Sequence, residues 1–68
     1  MSSPNAILHE LLNLAEIMLT NGAEVSRVEE TLNRMGHAYG ASQMNVFAIT
    51  SSIVVTMVFP EGEEYTQT

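Results

Sequence analysis

The side chains that could do chemistry crowd into one stretch, Asn21 to Gly36, NGAEVSRVEETLNRMG. It holds both cations of the chain, Arg27 and Arg34, among Glu24, Glu29 and Glu30. On a helix, Glu24 and Arg27 stand at i, i+3 and Glu30 and Arg34 at i, i+4, acid first. Each pair contributes about 0.2–0.5 kcal/mol on an exposed surface. Glu24, in the first turn, also favours the positive end of the helix dipole. The spacing predicts that Glu24 and Arg27 pair and orient the helix start. Glu29 differs, because it sits at the edge of the apolar face and is followed at i+4 by Asn33 rather than a base. The plain reading is a rim carboxylate that snorkels or pairs with Arg27; the sharper one is a ligand-binding or interface carboxylate.

Other candidates are weaker. His9, Asn13 and Glu16 share a helix face, and His with Glu can bind a metal ion, but a solvated polar stripe explains them as well. His37 falls on the polar side near Asn33 and reads as solvated. Glu61 to Glu64, EGEE, lacks the alternating oxygen ligands of a calcium loop and reads as a hairpin turn. Ser26, Ser42, Ser51 and Ser52 have no nucleophile elbow around them, and the chain contains no aspartate to complete the usual triad. Gly22, Gly36, Gly40 and Gly62 are too scattered for a phosphate-binding loop. The expectation is therefore a non-enzyme with no cofactor and no metal.

Composition narrows the class. The chain has 68 residues and a formal net charge of −6, so it is at most one small acidic domain. Chains of about 60 residues bury only about 60% of their unfolded surface and are marginal alone. With no cysteine, disulfides and thiolate metal sites are ruled out. Extra stability must come from helix packing, self-association or further chain. Two arginines and no lysine cannot line a phosphate backbone, so nucleic acid is not expected. No apolar run reaches the roughly 18 residues of a membrane span. The N-terminus lacks a basic leader region and carries Glu10 and Glu16 within its apolar part. Taken alone, the segment reads as soluble.

The elements that must position these groups follow from periodicity. Ser2, Ser3 and Pro4 start a helix over about 4–20. Ile7, Leu8, Leu11, Leu12, Leu14, Ala15, Met18 and Leu19 form its apolar face, opposite His9, Asn13, Glu16 and Thr20. Ile17 falls outside that face. Asn21-Gly22 ends the helix, with Gly22 expected at positive φ. A second helix over about 24–39 follows closely, so the two form an αα-hairpin. Its apolar face is Val25, Val28, Leu32, Met35 and Tyr39. Gly36 lies beside that face, where another element can approach, and Gly40 reads as a second C-terminal cap. The period then drops to two, giving strands over about 44–50 and 53–59. The second strand is apolar on both faces, with Ile53, Val55, Met57 and Phe59 on one side and Val54 and Val58 on the other, and needs cover on both. From Tyr65 the chain favours another strand. The expected class is α+β, an αα-hairpin followed by an antiparallel β-hairpin, within a larger α/β domain. No internal repeat or linker interrupts it.

Taken together, Asn21-Gly22-Ala23-Glu24, Arg27-Val28-Glu29-Glu30-Thr31, Gly40, Val46-Phe47 and Ile53-Val54-Val55-Thr56-Met57 resemble the N-terminal conserved region of the threonine/serine exporter family. The resemblance covers roughly residues 6 to 59. One departure is the turn, where Thr50-Ser51-Ser52 stands for the family's Pro-Thr-Gly. That disfavours a tight primed turn and leaves a wider turn or a bent continuous strand open. The resemblance implies a multipass inner-membrane exporter of small polar metabolites, threonine and serine by the family name and dicarboxylates in two-subunit relatives. It implies that this region is a cytoplasmic domain ahead of membrane helices that carry transport. Its polar motif residues would be Gly22, Glu24, Arg27 and Glu29. The implied partners are the remainder of the transporter, a second copy, or a membrane-spanning partner subunit. A free-standing homodimeric module is the main alternative. A small enzyme or metal domain built on His9, Glu16, Glu24 and Glu29 is the least supported.

Overall fold

The computed structural model describes residues 3–49 and 52–68. Helix α1 spans Pro4–Thr20, α2 spans Val25–Ala38, and strands β1 Gln43–Ile49, β2 Ser52–Val58 and β3 Glu64–Gln67 follow. Two helices followed by an antiparallel sheet in the order β1-β2-β3 make the fold α+β. Beyond the expected β-hairpin, β3 adds to the far edge of β2, along the segment whose strand character begins at Tyr65.

Local signals account for the boundaries. Ser3 Oγ accepts a hydrogen bond from the Ala6 amide at 3.2 Å, and Pro4 opens α1, where a missing N–H costs nothing. At the other end Gly22 takes φ +88°. The Gly22 amide donates to Leu19 O at 3.1 Å and the Ala23 amide to Met18 O at 3.0 Å. This is a Schellman ending, which requires the left-handed conformation that glycine adopts without penalty. The same bonding closes α2, from Gly40 to His37 O and from Ala41 to Gly36 O.

In the sheet, Ile49 pairs with Ser52 and Gln43 with Val58. The chain therefore reverses as a hairpin and does not run on as one bent strand. Thr50 and Ser51, on which the expected turn geometry falls, lie outside the described residues. β2 turns into β3 through Pro60-Glu61-Gly62. The Gly62 amide donates to Phe59 O and the Phe59 amide to Glu63 O, both at 2.9 Å. Proline early in the loop and a left-handed glycine at its end are what a three-residue hairpin loop favours.

Both helices cover one sheet face, α2 over β1 and α1 over β2 and β3. Leu8, Leu11 and Ala15 of α1 meet Val28 and Leu32 of α2 above Met44, Val55 and Met57 of the sheet. The apolar face expected for α1 is the buried one, and Ile17 is 59% exposed. The face expected for α2 is rotated at its ends. Val25 and Tyr39 are 41% and 51% exposed, while Gly36 is buried. Gly36 is buried because the Met44 side chain of β1 fills the space that a Cβ there would occupy.

Candidate functional site

The cleft that gathers the most motif chemistry lies between α2 and β1. It is an open groove of about 360 Å³ lined by Glu29, Glu30 and Asn33 of α2 and Met44, Asn45 and Val46 of β1. Gly36, by letting Met44 seat against the helix, sets how closely β1 approaches that side of α2. Glu29 is half-buried here, as its place on the rim of the apolar face dictates. Glu30 is turned outward, and its Oε1 accepts a hydrogen bond from Arg34 Nη2 at 2.9 Å. A carboxylate with the Asn33 carboxamide one turn on can hold a cationic or amide group by hydrogen bonds, while Asn45 lines the groove from the strand, its side chain alternating with Met44 and Val46 towards the other sheet face.

The remaining motif residues do not converge on Glu29. Gly22 closes α1. Glu24 is the N-cap of α2; its backbone carbonyl accepts from the Arg27 and Val28 amides at 3.1 Å, and its side chain makes no capping bond. Arg27 and Glu29, two residues apart, point about 200° apart around the helix. The ion pair expected between Glu24 and Arg27 does not form. Among the described residues the one ion pair is Arg34–Glu30. The cap position explains this: Glu24 has extended rather than helical backbone angles, φ −71° and ψ 145°. The i, i+3 spacing therefore does not bring its side chain over Arg27.

The polar stripe of α1 forms a second hollow of similar size along Asn13, Glu16, Ile17, Thr20 and Asn21. Thr20 Oγ1 donates to Glu16 O and Asn21 Nδ2 to Ile17 O, both at 2.7 Å. These two groups are therefore spent on ending the helix. Asn13 Nδ2 lies 3.4 Å from His9 Nε2. Among the described residues no three His or Glu side chains gather as a metal site. His37 is not merely solvated. Ala41 O can only accept, so the 2.8 Å contact means that His37 Nδ1 carries a hydrogen and donates it. This fastens the last turn of α2 to the start of the sheet.

The face of the sheet away from the helices carries Phe47 and Ile49, which are 61% and 50% exposed. Phe47 pairs with Val54 across the ladder. At the other end Thr56 and Thr66 hydroxyls bond each other at 2.9 Å. Periodicity marked the apolar second side of β2. It missed Asn33 and Asn45 as groove residues, because their meeting depends on how α2 lies on β1.

No helix of the described residues is long and apolar enough to cross a membrane. Comparison with curated proteins and with solved structures returned no match. Among protein families, the one described as "Putative threonine/serine exporter" matches residues 9–68. That span contains the groove, both helix endings and the whole sheet, and so this chain belongs to the threonine/serine exporter family.

Proposed function

We propose that this chain is a non-catalytic module of a threonine/serine-exporter-like membrane transporter, with a regulatory or assembly role. It stands on the cytoplasmic side. Membrane helices outside it, in the same chain or in a partner subunit, carry the export of a small polar metabolite such as threonine or serine. The observation that carries the reading is the one-sided cover of the sheet. In a member of an exporter family, a two-layer unit that leaves Phe47 and Ile49 exposed offers a surface for another part of the machine. Glu29 is the motif residue placed to act, because it is half-buried in an open groove. Gly22 and Glu24 shape the entry to α2.

The test is threonine efflux from cells carrying the complete gene, with Glu29→Gln as the variant. Efflux should fall while the helical circular dichroism of this segment stays unchanged. A complete reading frame with no cluster of membrane spans, and no membrane-spanning partner gene beside it, would overturn the reading. It would favour a free-standing homodimeric module instead, which the same uncovered face supports.

A further inference from the structure

The two edges of the sheet are built differently. β3 is four residues long, carries Glu64, and is tied down by Gln67 Nε2 donating to Asn5 O at 2.9 Å. β1 is seven residues long and reads QMNVFAI, with no charge, proline or glycine. Among the described residues its outer edge has no sheet partner. Every second N–H and C=O of an edge strand points away from its neighbour. Soluble proteins blunt such edges with charges, proline, bulges or short length. β3 has two of these devices and β1 has none.

We propose that β1 is the contact by which two copies of this chain join, pairing antiparallel with its counterpart about a two-fold axis into one six-stranded sheet. Charge selects the occupant. The chain carries −6 overall, so most of its surface repels a copy, whereas the seven residues of β1 carry no charge. An isologous contact places the same patch on both partners. It must also keep equivalent sheet faces on one side. Pairing centred on Phe47 does so, setting Phe47 against its counterpart and Asn45 against the counterpart of Ile49. The contact then covers part of the apolar face that the helices leave open. A single strand pair buries less than the roughly 1,200 Å² of a standard interface, so the dimer is weak and concentration-dependent. Tethering in a membrane raises the local concentration and strengthens it. The proposal deepens the assembly reading and rests on it only for where the contact is used.

The test uses the chain itself. Sedimentation equilibrium at micromolar to millimolar concentration should give a monomer–dimer equilibrium, with the amides of β1 gaining hydrogen-exchange protection as concentration rises. Phe47→Lys changes the net charge from −6 to −6 + 1 = −5. A dimer held elsewhere would tighten, whereas pairing through β1 should weaken at least about tenfold as two lysines meet. Because the chain has no cysteine, Phe47→Cys should cross-link copies under mild oxidation and Ile17→Cys on α1 should not. A monomer at every concentration, a dimer indifferent to Phe47→Lys, or cross-linking through Ile17→Cys alone would overturn the proposal. Efflux measurements judge the exporter reading separately.

Discussion

Gly22 and Gly36 are both glycines for physical reasons, and the reasons differ. At Gly22 nothing lies within 4 Å of an added Cβ, so only the backbone angle of φ +88° resists a side chain. At Gly36 the backbone is ordinary helix and the obstacle is the Met44 side chain. Gly22→Val should therefore cost about 1–2 kcal/mol through φ alone. Gly36→Ala gains about 1 kcal/mol of helix propensity but must displace a buried methionine, at about 1–3 kcal/mol. In Met44→Ala the space is free, so Gly36→Ala should become stabilising there, while Gly22→Val should cost the same in both backgrounds. Urea unfolding of the four combinations checks this. Gly22 was legible from its Asn-Gly pair after an apolar period. The identity of the atom facing Gly36 was not, because it depends on the register between α2 and a strand that comes later in the chain.

Tyr65 is shifted from its ordinary titration by its surroundings. Its phenol lies above the usual 10.0, first through desolvation and then through the charge of Glu63 and the hydrogen bond to it at 3.4 Å. The ring packs edge-on against Phe59, with centroids 5.8 Å apart. An acid kept neutral by the fold adds stability that is fully present below its unfolded value. That stability is lost as pH rises through the folded value. The loss should therefore appear only above about pH 10. Glu63→Gln should bring the phenolate absorbance change to lower pH, and an unmoved titration would leave desolvation as its only source.

At the scale of elements, periodicity located both helices and the first two strands and assigned α1 its buried face. It erred on α2, where Val25 and Tyr39 were expected inside and are exposed. A wheel treats every apolar residue on an arc alike, whereas a short helix buries the middle of the arc and lets its ends project. Leu32, fully buried at the centre of α2, should cost about 2–5 kcal/mol as Leu32→Ala. Tyr39→Ala, at the projecting end, should cost far less. Chemical denaturation of the two variants separates them. The groove was half legible. Glu29 stood out by its place on the rim, but Asn45 enters only because β1 is the strand beneath α2.

The whole molecule is compact, with a radius of gyration of 11.2 Å, near the roughly 11 Å expected for its length. Yet its sheet is covered on one side. Two helices suffice for one layer of core, and the sequence already marked a strand apolar on both faces. The helices of the described residues cover the first face alone, and periodicity does not say what meets the second.

The bond from Gln67 to Asn5 spans 62 positions of sequence at 2.9 Å, and it brings the outgoing strand beside the incoming helix. Any polypeptide joined before α1 and after β3 thus meets the module at one pole. Mechanically, the unit hangs as a pendant rather than standing as a link in series. Tension between its two attachments would not shear the sheet along its length. It would load this one contact and then peel β3 from β2 bond by bond, leaving the helix pair and the β1–β2 hairpin intact.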